Sequence, residues 1–364
     1  MGKTRVLRRR SSIAVSVLAA ALVAAALAMT ALAASDNAYT VTNLVSNEQG
    51  IAAQTDGNLV NGWGLDALAG SPWWVADNGT GVSTIYRADG STARPPVNVP
   101  GKPTGLVANA TQSFKVTNGT TTAAPLFIFA TEEGKIFGWN PGIAPNDAVD
   151  AKVKNTAGAI YKGLALASTA GGDFLYAADF HNGHVDVFDS TLQAAALPAG
   201  AFTDPSLPQG YAPFGIQNVG GTIVVTFAKQ DADAVDEVSG QGKGFVDAFD
   251  TTGNLLARIG SRGRLNAPWG IAQAPAQGFG RFSGDLLIGN FGDGEITAFA
   301  HGHDGHWEPA GQLRDGHHQE VSIEGLWALE FGKGAAANGP ATILFFTAGP
   351  HDENDGLFGT ITAG

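Results

Sequence analysis

An all-β, six-bladed β-propeller whose last blade is closed by the N-terminal strand is the fold this sequence predicts, and three observations predict it. A glycine followed by aliphatic residues recurs at Gly64, Gly105, Gly163, Gly215, Gly270 and Gly325, at spacings of 41, 58, 52, 55 and 55 residues. Each copy runs on into two further β-type segments, and a period of that size with several strands per unit marks blades that bury their faces only against neighbours. Fifty glycines, 15% charged residues and no helical apolar period longer than a turn beyond the N-terminal segment point the same way.

The N-terminal segment comes first. Lys3, Arg5, Arg8, Arg9 and Arg10 precede an alanine-rich apolar run from Ile13 to Ala28 and a small-residue site at Ala31-Leu32-Ala33. That three-part pattern is a secretory signal peptide over residues 1–33, expected to be cleaved. An uncleaved anchor is the competing expectation, weakened because alanine contributes little hydrophobicity. Arg9-Arg10 hints at twin-arginine export, but Ser12 stands where a bulky apolar residue is wanted.

Residues 34–364 then read as one propeller domain with blades starting near 61, 103, 161, 212, 267 and 323. In the first copy the strands are expected at 64–68, 73–77 and 82–87, with a fourth near Val97. The second strand recurs at 126–130, 174–178, 223–227, 286–289 and 343–347, and the third at 135–139, 184–188, 245–249, 295–299 and 357–361. Turns such as Asn78-Gly79, Asn182-Gly183, Asp293-Gly294 and Asp355-Gly356 support hairpins between them. The last copy runs out after its third strand, where only Thr362-Ala363-Gly364 remain. Residues 39–46 have strand character and no other place, so they are expected to supply the missing outer strand and remove an open edge.

The formal net charge is −12, and removing the signal segment, with five basic and no acidic residues, makes the rest more acidic still. Such a surface repels nucleic acid and anionic lipid and attracts cationic partners. With no cysteine, disulfides, thiol nucleophiles, haem attachment and cysteine-based zinc sites are excluded, and the exported domain must hold itself by core burial. The expected product is a secreted or extracytoplasmic monomer with no membrane span after cleavage, whose partner is a small ligand or an extracellular protein.

Several phrases are then recognisable together. Trp74-Val75-Ala76-Asp77-Asn78-Gly79-Thr80-Gly81, Ala228-Lys229-Gln230-Asp231, Gly289-Asn290-Phe291-Gly292-Asp293-Gly294, Gly325-Leu326-Trp327-Ala328-Leu329 and Phe346-Thr347-Ala348-Gly349-Pro350 resemble a family of exported bacterial propeller proteins. Some of its members end in a PEP-CTERM sorting tail, and the end at Gly364 without one implies release. The family has no established activity to lend, so the resemblance implies fold and location only.

A more distant likeness is to NHL-repeat and to regucalcin and gluconolactonase propellers. In the metal-dependent lactonases of that group, oxygen ligands stand just before such glycines, where a divalent cation polarises the substrate. The corresponding positions here are Trp63, Thr104, Lys162, Phe214, Trp269 and Glu324, with Asn61 nearby. Glu324 is the one strong oxygen ligand among them, and Lys162 would repel a cation. The ring instead offers three aromatics with Lys162 and Glu324 opposed across the axis, a mouth suited to a planar or sugar-like ligand.

The connections between second and third strands are expected on the same face. They carry Asp77 with Asn78, Glu132-Glu133, Asp179 with His181, the acidic insertion from Lys229 and Asp231 to Lys243, Asn290 with Asp293, and His351-Asp352-Glu353-Asn354-Asp355. Asp-Asn-Gly and Asn-Asp-Gly are also ordinary turn chemistry. No motif calls for a cofactor. Ca²⁺ is the candidate cation, at Glu324, Asp352 and Asp355 or in the acidic insertion, and His301, His303 and His306 form a turn capable of adventitious Zn²⁺ or Cu²⁺ binding. No Gly-x-Ser-x-Gly elbow or phosphate loop is present.

These observations favour a binding module acting through its loop face and channel mouth. The alternatives are a metal-dependent lactonase using Glu324 and Asn61, and a structural envelope or matrix protein.

Overall fold

Strands that must face a neighbour on both sides cannot alternate apolar with polar, and the second strands here do not. Trp73–Asp77, Phe127–Thr131, Leu286–Asn290 and Leu344–Ala348 are buried at every position. Odd residues face one adjoining sheet and even residues the other. Trp74 stacks on Phe127 of the following blade at 4.2 Å, while Trp73 packs against Phe345 of the preceding one at 4.8 Å.

The computed structural model describes residues 1–2, 37–302 and 305–364. Asn37–Gly364 form one unit, and residues 1–36 a separate one. The signal peptide expected over 1–33 therefore lies, beyond Met1 and Gly2, outside the described residues. No helix among the described residues is long and apolar enough to cross a membrane.

Six antiparallel sheets follow in chain order, with inner strands Gly62–Asp66, Pro103–Ala108, Tyr161–Thr169, Tyr211–Val219, Pro268–Gln273 and Leu326–Phe331. Blades one, two, four and five have four strands. Blade three has three, with a single bridge from Phe188 to Ala194 where a fourth would run. Blade two carries an extra hairpin, Val116–Thr117 with Thr122–Ala123.

The expected closure is present. Tyr39–Ser46 pairs antiparallel with Leu357–Ala363, from Tyr39 opposite Ala363 to Ser46 opposite Leu357, with a bulge between Asn43 and Val45. Gln54–Thr55 then adds a short parallel strand outside it. Six clusters of buried side chains result, one at each seam between blades, and the cluster at the seam of blades six and one extends to the propeller axis.

The repeated glycine has a physical cause, which is close approach. A Cβ on Gly64 would lie 2.5 Å from the Thr104 carbonyl oxygen, one on Gly163 2.7 Å from that of Phe214, and one on Gly270 2.6 Å from that of Trp327. Gly105 and Gly215 likewise abut Leu164 and Trp269 of the next blade. Each of these five inner strands is thus laid against its neighbour's backbone with no room for a side chain.

The sixth copy corrects the expectation. The pairing of Leu326 with Ala348 matches that of Pro268 with Asn290, which places Ala328, not Gly325, at the repeat position. Blade six therefore begins three residues later than 323 predicts. At this seam the Thr347 hydroxyl accepts from the Ala328 N–H at 3.1 Å and donates to the Trp63 carbonyl at 2.5 Å, joining the last blade to the first. Gly325, with φ +65°, serves instead in the preceding turn.

Gly215→Ala should lower unfolding free energy by about 1–3 kcal/mol through overpacking. Gly70→Ala, in open space, should stay within about 0.5 kcal/mol. Denaturant titration of both variants checks this, and equal effects would contradict the close-approach account.

Candidate functional site

Every inner strand carries the same irregularity, a register shift next to the repeat position. Such bulges re-aim one side chain. The residues so placed are Trp63, Thr104, Lys162, Phe214, Trp269 and Trp327, each immediately following the first ladder pair of its strand or, in blade four, following Pro213. Trp327, not Glu324, holds the sixth place, so the predicted opposition of Lys162 and Glu324 across the axis is not formed.

The predicted aromatic mouth is a plug. Trp63 stacks on Trp327 with ring centroids 3.6 Å apart, Trp269 and Phe214 meet Trp327 at 5.7 and 5.8 Å, and Phe291 stacks on its other side at 4.2 Å. All four ring aromatics are buried, because stacking on each other removes more apolar surface than an open channel would. Two indole N–H groups are satisfied, Trp269 by the Lys162 carbonyl and Trp327 by the Asn61 side-chain oxygen, each at 2.9 Å. The third, on Trp63, is buried without a hydrogen-bond partner.

Over this floor lies a polar cavity of about 550 Å³, lined by Trp63, Lys162, Asn61, Asn78, Lys102 and the carboxyls of Glu132, Asp236, Glu237 and Glu353. The carboxyls come from the connections between second and third strands in blades two, four and six, so the loop face and the axis meet at this cavity. Lys162, with its side chain 1% exposed, donates to Glu132 at 2.6 Å and to Asp236 at 3.1 Å, and its ammonium lies 5.1 Å from the Trp63 ring centroid. Asn61 ties the cavity together, donating to Glu353 at 2.5 Å and to Asn78 at 3.4 Å.

Protonation is divided unequally. Burial works against the Lys162 charge, but Glu132 outweighs it and the ammonium is held above its ordinary range. Glu132 is correspondingly lowered, burial being overcome by Lys162. Burial pushes Glu237 up to about 8, with Lys162 offsetting only part, and raises Glu353 against its hydrogen bond from Asn61. At neutral pH the cavity holds an ammonium, an ionised Glu132 and a protonated Glu237, and so offers donors and acceptors together.

Most of the other predicted loop residues build turns. Asp77, fully buried, accepts from the Thr84 N–H at 2.7 Å, and Asp179 accepts from Asn182 Nδ2 at 2.8 Å. Asn290 and Asp293 bond each other at 3.0 Å, and Asp231 accepts from the Val235 N–H at 2.9 Å. Lys229 lies over Tyr211, and His181 meets the Ala234 carbonyl at 3.1 Å, which steadies the acidic insertion. Asn78 alone of these lines the cavity. Glu132, Glu237 and Glu353 stand in the loop-face runs noted from the sequence but were not singled out there as site residues, although no turn geometry requires glutamate.

The predicted cation ligands are not brought together as a set. Glu324 and Asp352 line a separate cleft of about 320 Å³, while Asp355 pairs with His351 at 2.8 Å. Asn61, proposed beside Glu324 for a lactonase, is committed to Glu353 and Trp327. Among the described residues the groups of close metal-ligand atoms are Glu48, His351 and Asp355, and Asp179, His184 and Asp186. His301 packs on Trp307 at 4.8 Å, and His303 lies outside the described residues.

No protein-family model matches the chain. Uncharacterized protein R648 of Acanthamoeba polyphaga mimivirus is 34% identical over 340 residues, covering 89% of this chain and 80% of that protein. The chain belongs to the R648 family. Uncharacterized protein L690 of the same virus is 32% identical over 275 residues, covering 72% of this chain and 71% of its own. A structural genomics protein of unknown function from Bacteroides thetaiotaomicron superposes with a TM-score of 0.55 at 15% identity, over 89% of this chain and 76% of that one, a likeness of fold alone. These R648-family relatives are viral, and of the resemblance drawn from sequence phrases it is the propeller that holds.

Glu237 binds its proton more tightly folded, near 8, than its ordinary 4.5. It therefore contributes a loss of stability that grows as pH rises between those values. Glu237→Gln should leave the melting temperature nearly unchanged at pH 5 and raise it at pH 9. A variant equally affected at both pH values would contradict the assignment.

Proposed function

We propose that the chain is an exported, non-catalytic propeller that binds a small hydroxyl-rich ligand, of sugar size, in the cavity over the tryptophan floor. The observation that carries this reading is the convergence, over the tryptophan floor, of the Lys162 ammonium, the Asn61 and Asn78 amides and the carboxyls of Glu132, Glu237 and Glu353 in one cavity. The cavity volume falls within the range of about 300–1,000 Å³ of small-molecule sites. Mixed ammonium, amide and carboxyl groups suit hydroxyls, which donate and accept at once. Lys162 is charged and hydrogen-bonded, which disfavours its use as a nucleophile.

Export rests on the three-part pattern of residues 1–33, and an extracytoplasmic setting fits a cysteine-free domain of strongly acidic charge. One feature favours a reaction instead. Glu237, raised by burial, and Glu132, lowered by Lys162, line the same cavity, and two carboxyls pushed apart in this way suit acid–base catalysis.

Calorimetric titration of the 34–364 domain with neutral sugars, amino sugars and sugar acids should find one class that binds at one site per chain and changes tryptophan fluorescence. Lys162→Met and Glu132→Gln should weaken that binding at least tenfold. Failure of every class to bind would remove the proposal. Turnover of a bound glycoside, abolished in Glu237→Gln, would replace binding with catalysis.

A further inference from the structure

At the seam where the N-terminal strand enters blade six, three potential ligands from distant parts of the chain converge away from the axial cavity. We propose that Glu48, His351 and Asp355 form a site for a divalent transition-metal ion of the Zn²⁺ type, clasping the segment after the N-terminal strand to the last blade. His351 Nδ1 lies 2.8 Å from Asp355 Oδ2 and 3.7 Å from Glu48 Oε1. One donor atom from each residue falls within 4.8 Å of the others, so a single ion about 2.0–2.2 Å from each can be seated with small side-chain adjustments.

The donors are held by a second layer of contacts. Asn47 donates to Asp355 Oδ1 at 2.7 Å and accepts from the Gly356 N–H at 2.8 Å, which leaves Oδ2 turned toward His351. Outer partners of this kind orient metal ligands. Glu324, expected from the sequence as a ligand, instead accepts from the His351 backbone N–H at 3.0 Å and fixes the loop. That loop is unusual in its backbone, with His351, Asp352 and Glu353 all left-handed at φ 56°, 53° and 65°. Three successive non-glycine residues do not adopt this conformation on local preference, so the surroundings impose it. Its effect is to send His351 to the seam and Glu353 into the axial cavity.

The donor set selects the ion. One imidazole nitrogen with two carboxylate oxygens suits a borderline ion such as Zn²⁺, whereas Ca²⁺ takes six to eight oxygens. Glu48 and His351 also line a groove of about 1,150 Å³, through which water completes the coordination. Without metal, the hydrogen bond to Asp355 and the charge of Glu48 hold the His351 imidazole above its ordinary range.

The test uses the 34–364 protein stripped with chelator, titrated with ZnCl₂ and with CaCl₂, and checked by metal mass spectrometry after dialysis. One Zn²⁺ per chain is expected. Its affinity should fall tenfold or more in His351→Ala and in the near-isosteric Glu48→Gln, which keeps the fold if the alanine variant does not. His301→Ala with His306→Ala should bind as the parent does. At a hundredfold excess over Kd, Zn²⁺ should raise Tm by about 4 °C, a shift that Glu48→Gln lacks. Stoichiometric Zn²⁺ unaffected by Glu48→Gln and His351→Ala, or no stoichiometric Zn²⁺ at all, would overturn the site. Ca²⁺ bound as tightly as Zn²⁺ would overturn the choice of ion.

Discussion

Backbone against backbone at the axis is the contact on which the rest of this structure depends. Five of the six inner strands press a glycine onto the next strand, the sixth presents Ala328, and that approach sets the packing of the second and third strands behind it. A blade has no core of its own. Its second strand is apolar on both faces and becomes stable only when both neighbours are present, as the six seam clusters show. The bulges that accompany the close approach also turn one side chain per blade to the centre, so the geometry that closes the ring dictates what fills it.

Filling the axis with stacked indoles has an electrostatic result. A lysine placed in that ring cannot point into the apolar plug, so its ammonium rises to the loop face and collects carboxylates around it. Its 1% exposure would be costly for a lone charge, and the two short contacts to Glu132 and Asp236 make it tolerable. Four carboxyls around one such lysine exceed what it can neutralise, and burial raises Glu237 to about 8 and lifts Glu353 above its ordinary range. The cavity is thus polar without being strongly charged.

The architecture was legible because its causes are local and repeated. Glycine at five of six repeat positions reports the close backbone approach there, and the orphan strand at 39–46 could go only where a strand was missing. The sixth repeat misled because Ala328 stands where the pattern wants glycine while Gly325, a turn residue, sits three positions earlier. That shift exchanged Trp327 for Glu324 in the ring and with it the chemistry assigned to the mouth. The site was less legible for a different reason. Glu132, Glu237 and Glu353 come from separate blades, and only the radius of the ring and the length of each loop decide which of them reaches Lys162. Asp77 and Asp179 looked equally good in sequence, yet each is consumed by the turn it begins.

The pairing of residues 39–46 with 357–363 makes the first strand to be synthesised the last to find its place. Gly364 donates to the Ala38 carbonyl at 2.8 Å, so the two ends of the fold lie side by side in one sheet. Some three hundred residues must be made before this contact can form, and closing so long a loop adds an entropic cost that grows only slowly with its length. Closure of the ring consequently waits until both ends of the domain are available. The same adjacency means that the order of blades carries no directional information: joined across Ala38 and Gly364 and opened at another turn, the ring would have the same seams with a different beginning.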